Sequence, residues 1–120
     1  MQTDRQDLSE RLLEFSANAV KFTAKLNISA TGRHIANQLM RASTACGANY
    51  EEACAAESRA DFIHKMQIVL KEMRESRYWL RLIERIGLFP ESVLPSLLRA
   101  SDELVKIFAK SVITAKGRIR

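Results

Sequence analysis

The sequence predicts an all-α protein, specifically an antiparallel up-and-down four-helix bundle. It has only 4 Gly and 2 Pro in 120 residues, so turns are few, yet 47% of its residues are hydrophobic. Apolar residues recur at alternating spacings of three and four, which is the seam of a helix packed in a bundle. Short breaks separate four such segments, and short connections make neighbouring helices antiparallel. A chain of this length suits one domain, residues 1–120, with a basic tail from about residue 116.

The first helix is expected from about Asp4 to Leu26, with the seam Leu8, Leu12, Phe15, Ala19, Phe22 and Leu26. "NISATG" breaks it. The second is expected to start near Arg33, with Ile35, Leu39, Ala42, Cys46, Asn49 and Ala53 on its seam. Asn49 therefore falls on the core side, and Ala42, Gly47 and Ala53 allow close approach of a neighbour. Ser58 with Asp61 forms an N-cap for the third helix. Its seam is Phe62, Met66, Val69, Met73, Ser76, Leu80 and Ile83. Gly87 stops it at C′, with Leu88 packing back. The fourth helix spans roughly Glu91 to Ala115, with Pro95 tolerable only in the first turn. "KGRIR" reads as a frayed tail.

Several function classes lack support. No apolar run is long enough to span a membrane. The polar "MQTDRQDLSE" is not a signal peptide, so the cytoplasm is the expected compartment. Cys46 and Cys54 lie about 12 Å apart on one helix, too far for a disulfide. His34 and His64 complete no metal-ligand spacing, so neither metal nor cofactor is expected. The net charge of +5, with 19 Lys and Arg among 14 acids, permits nucleic-acid binding without requiring it.

The third helix carries more than one surface. Ile68, Trp79, Leu82 and Ile86 lie beside its seam and widen the apolar arc to about half the circumference. With Tyr78 they form a candidate subunit interface. On the opposite face Arg74, Arg77, Arg81 and Arg85 are spaced by three, four and four, with Lys71 at the margin. Such a stripe either tracks phosphates, together with Lys116, Arg118 and Arg120 of the tail, or is a solvated face.

Glu72 and Glu75 fall inside the wide apolar arc, where a carboxylate needs a partner. If the second and third helices fold back at Ser58, Glu52 lies near Lys65, Glu75 near Arg41, Glu72 near Thr44 and Asn49 near Met66, where it can bond to a neighbouring carboxylate or backbone group. Arg41, Asn49, Glu52, Lys65, Glu72 and Glu75 then form a polar layer that fixes helix register. General acid–base catalysis by these carboxylates lacks a nucleophile and an evident pocket. The Glu-x-x-His pairs of carboxylate metal bundles do not occur. No enzymatic activity is expected.

"RASTACGANYEEA", "SRADFIHKMQIVLKE" and "ESRYWLRLI" resemble the bacterial four-helix-bundle proteins encoded in intervening sequences of large-subunit ribosomal RNA genes. The matching stretch runs from about Gln38 to Ile83. The resemblance implies a homopentamer. It also implies kinship with the accessory variability proteins of diversity-generating retroelements, which associate with nucleic acid and a reverse transcriptase. It brings no catalytic residues. Where the family often carries arginines after its Asn-x-x-Glu-Ala block, this chain has Cys54, Ala55 and Glu57. That departure weakens any basic patch near the turn after the second helix.

Two functions are weighed. One is an oligomeric module that presents the arginine stripe to RNA or DNA, where symmetry multiplies weak contacts. The other is an oligomeric scaffold for a protein partner, with a basic surface that serves solubility alone.

Overall fold

The computed structural model describes residues 2–88 and 93–117. It is all-α, with α1 at Gln2–Ala24, α2 at Ala30–Cys54, α3 at Arg59–Ile86 and α4 at Val93–Gly117. Consecutive helices pack side by side, and α4 returns to α1 along the sparsest seam of the four. The resulting rod measures 48 × 23 × 20 Å. Among the described residues no helix is long and apolar enough to cross a membrane.

Local chemistry sets the element ends. α2 begins three residues before the expected Arg33, because Ser29 is its N-cap and its hydroxyl accepts the Gly32 N–H at 2.9 Å. "NISATG" therefore contains both the break and the next start. α1 ends at Ala24, and the Leu26 N–H turns back to the Thr23 carbonyl at 3.1 Å. Leu26 is nonetheless buried, so the seam outlasts the helix. Ser58 caps α3 by accepting the Asp61 N–H at 3.0 Å. Gly87, at φ 62°, ends it in the left-handed region. The N–H groups of Gly87 and Leu88 return to the carbonyls of Glu84 and Ile83, both at 3.2 Å, the paired bonds of a Schellman stop. Pro95 sits in the first turn of α4. Pro90 and the expected start of α4 at Glu91 lie outside the described residues.

The core is continuous from Leu12, Phe15 and Phe22 through Leu39 and Met73 to Leu104 and Phe108. Two seam assignments differ from expectation. Tyr50, not Asn49, occupies the buried position near the end of α2, with its ring edge-on to Phe108 at 5.6 Å. Ile63, not Phe62, is the first buried residue of α3. In both places the true helical period has drifted from a strict three–four alternation, moving the inward residue along by one. Ser43, Ser76 and Ser101 are buried. Each donates its hydroxyl to a carbonyl of its own helix, at 3.3, 2.9 and 2.8 Å respectively. Small satisfied polar side chains thus let the helices approach without leaving an orphan group. Cys46 and Cys54 are both free thiols, and burial pushes the Cys46 thiol up to about 12.

A Cβ added at Gly32 would overlap the Leu26 carbonyl oxygen. Gly32→Ala is therefore expected to lose about 1–3 kcal/mol, because the α1–α2 turn must move. Gly87→Ala is expected to lose about 1 kcal/mol, the strain of a left-handed residue carrying a Cβ. Urea unfolding midpoints check both, and an unchanged Gly32→Ala midpoint would show that the turn yields freely.

Candidate functional site

The α2–α3 seam carries a line of ion pairs. Arg41 of α2 reaches two carboxylates one turn apart on α3. Its Nη1 lies 3.2 Å from Glu72 Oε1, and its Nη2 donates to Glu75 Oε2. The Trp79 indole N–H donates to the same Glu75 oxygen at 3.2 Å. Further along, Lys65 Nζ meets Glu52 Oε1 at 2.6 Å. The Arg41 hydrogen bond holds the Glu75 carboxyl below its ordinary range. Glu75 in turn raises the Arg41 guanidinium, and Glu52 raises Lys65.

One member of this line differs from expectation. Glu72 pairs with Arg41, not with Thr44, whose hydroxyl donates to the Met40 carbonyl of its own helix at 2.8 Å. A long guanidinium fork can reach both carboxylates at once, and a threonine cannot reach either. Asn49 is half-buried and, of the two kinds of partner open to it, takes a backbone group, donating to the Ala45 carbonyl of its own helix at 2.9 Å. Among the described residues no three His, Cys, Asp or Glu side chains converge. The seam is built to join helices, with each carboxylate already facing a cation.

On the outer face of α3, Lys71, Arg74, Arg81 and Arg85 are exposed. Arg77 is half-exposed and stands 3.7 Å from Asp102 of α4. Beside it a groove of about 550 Å³ opens between α3 and α4, lined by Arg77, Arg81, Glu84, Arg99 and Asp102 among others. Arg99 was not anticipated. The Arg77–Asp102 contact sets the register of α4 on α3 and places Arg99 near the level of Arg81. Lys116 lies in the last turn of α4 and not in a frayed tail, while Arg118 and Arg120 fall outside the described residues.

The apolar edge of α3 divides. Trp79 and Leu82 pack partly against the core, and the Trp79 ring meets His34 of α2 edge-on at 6.1 Å. Much of the wide arc is therefore consumed within the chain. Ile68 is half-buried, while Tyr78 and Ile86 remain 57% and 48% exposed. A second apolar surface, unforeseen, lies on the far side of α2. Leu13 is 63% exposed there, in a groove of about 570 Å³ shared with Ser16, Thr44, Gly47, Ala48 and Glu51. Its sequence signal was Leu13 itself, an apolar residue off the seam of α1.

The model of the family described as 23S rRNA-intervening sequence protein matches residues 5–110. The chain belongs to that family. A crystal structure from Bacteroides thetaiotaomicron, described as a protein of unknown function from the S23 ribosomal protein family, superposes with a TM-score of 0.81. It is 32% identical, over 90% of this chain and 96% of its own. No functionally curated protein matches the chain. The intervening-sequence family match covers the Arg41 fork, the arginine stripe and both grooves, and stops short of Lys116.

In this intervening-sequence protein the Arg41 side chain keeps 48% of its surface exposed while Glu72 keeps 11%. Removing Arg41 strands the buried carboxylate, whereas removing Glu75 leaves Arg41 paired with Glu72. Arg41→Ala is expected to cost about 2 kcal/mol and Glu75→Ala about 0.5–1 kcal/mol. Because the folded Glu75 carboxyl is depressed, its contribution is complete above the ordinary range near about 4.3 and fades as pH falls through its folded value. The Glu75→Ala deficit should therefore shrink between about pH 5 and pH 3. Urea titrations at both pH values check it, and a pH-independent deficit would assign the loss to packing.

Proposed function

We propose that this chain is a non-enzymatic homo-oligomer that binds nucleic acid through the basic face of α3, with a pentamer the favoured assembly. One observation carries the reading. Lys71, Arg74, Arg81 and Arg85 all project from the side of α3 opposite its core residues Val69, Met73, Ser76 and Leu80. Cations with this spacing on a straight helix match a phosphate backbone. The family's name, 23S rRNA-intervening sequence protein, makes RNA the first ligand to test.

Self-association rests on a separate argument. A closed ring with an odd number of subunits needs two different complementary patches on each chain. The chain offers two apolar patches on different sides: the α3 edge with Tyr78 and Ile86, and the α1–α2 groove with Leu13. Gly47 supports the groove as a contact. A Cβ there would meet Ser16 and Leu12 only at ordinary distances of 3.7 and 3.8 Å. Packing within the chain thus does not require glycine, which costs a mid-helix position up to about 1 kcal/mol relative to alanine. Close approach by a second chain does call for it.

The alternative is an oligomeric protein scaffold without a nucleic-acid role. It is favoured by the Arg77–Asp102 pair, which neutralises one member of the stripe.

The deciding experiment is fluorescence anisotropy of a labelled structured RNA and a DNA duplex across a salt series, with oligomer mass measured on the same sample. Binding should weaken steeply with salt and be lost in Arg74→Glu/Arg81→Glu/Arg85→Glu. An intact oligomer that binds neither at low salt would select the scaffold. Leu13→Glu and Ile86→Glu should each lower the oligomer mass in sedimentation velocity while changing chain stability by less than about 0.5 kcal/mol. Unchanged mass in both variants would place the subunit contact elsewhere.

A further inference from the structure

The stripe does not run alone. The Arg77–Asp102 contact marks how α3 and α4 face each other. Antiparallel packing then sets Arg99 level with Arg81 on one side of that contact. On the other side Lys106 lies near the level of Arg74, and Lys110 near that of Lys71. Arg99, Lys106 and Lys110 are all exposed. From Asp102 they lie three residues back, four on and eight on, so all four share one side of α4. The acids of this face are Glu84 and Asp102, both exposed. Glu103 points to the other side of α4, where it pairs with Arg11 of α1.

We infer that the α3–α4 groove is the seat of a sugar–phosphate backbone, gripped from α3 by the stripe and from α4 by Arg99 and Lys106, with Asp102 holding Arg77 in place of a phosphate until one arrives. This deepens the nucleic-acid reading and rests on it. From Arg74 to Arg81 the two-sided basic track is about 10 Å long, at about 1.5 Å per residue. That is the rise of about three nucleotides of one strand. Cations on two walls can bracket a backbone where one helix face only touches it. The Arg77–Asp102 separation of 3.7 Å exceeds hydrogen-bond length, and Asp102 is exposed, so the pair is weak. A phosphate offers the guanidinium a bidentate, charge-assisted partner and displaces the carboxylate.

The test uses the full chain with a labelled RNA hairpin and a DNA duplex of equal length, by anisotropy across a salt series. Circular dichroism verifies that each variant is folded, and Arg99→Gln serves if Arg99→Glu is not. Arg99→Glu and Lys106→Glu should each weaken binding at least about tenfold and lower the slope of log affinity against log salt by about 1 or more. Asp102→Asn should tighten binding about fivefold, the effect of removing one competing exposed charge. If Arg74→Glu/Arg85→Glu weakens binding while Arg99→Glu and Lys106→Glu stay within about twofold of wild type, the backbone lies on α3 alone. In that case the groove assignment fails and the nucleic-acid reading stands. If Asp102→Asn weakens binding, Asp102 positions Arg77 and does not compete for it. If the wild-type chain binds neither probe at low salt, both the reading and the groove fall together.

Discussion

The rest of the molecule depends on the Arg41 fork. One guanidinium on α2 holds two carboxylates a turn apart on α3, and Glu75 also takes the Trp79 indole. This fixes α3 in both translation and rotation, because a slip of one residue would carry Glu72 and Glu75 out of Arg41's reach. With the rotation set, Val69, Met73, Leu80 and Ile83 face inward, and the basic residues at the remaining positions face outward. The outer surface of the bundle is therefore specified by a polar contact on its inner flank. A polar contact can select one helix register while adding little net stability, and the half-exposed fork is placed for that role.

α3 is the most committed element. Its inward side supplies core residues, and its α2 side supplies the fork and the Trp79–His34 contact. Its α4 side supplies Arg77 and the groove wall, and its outward side supplies the stripe. It is also the longest of the four helices, at 28 residues. An arc that is apolar over half a helix suggests a second partner; here the chain's own core takes part of Trp79 and Leu82, while Tyr78 and Ile86 stay exposed.

The four helices and their stops were legible because each signal is local: Ser58 with Asp61, Gly87 with Leu88, and the seam of α1. The pairs Glu52–Lys65 and Arg41–Glu75 were legible too, since a tight hairpin turns sequence distance into spatial register. What escaped were single-residue choices. Asn49 against Tyr50 and Phe62 against Ile63 depend on accumulated helical drift, which a three–four template rounds off. Glu72's partner depends on side-chain reach, not on level. Arg99 and Leu13 were hidden because each matters only beside a neighbouring helix, and neither lies on a seam.

The sparse closure between α1 and α4 has a consequence for how the bundle comes apart. The α2–α3 pair shares the densest contact and its own ion pairs, whereas α1 meets α4 along the thinnest seam, with the surface pair Arg11–Glu103 across it. Local opening follows contact density. Backbone amides of α2 and α3 are therefore expected to be the last to exchange with solvent, after those of α1 and α4, which face each other across the thin seam.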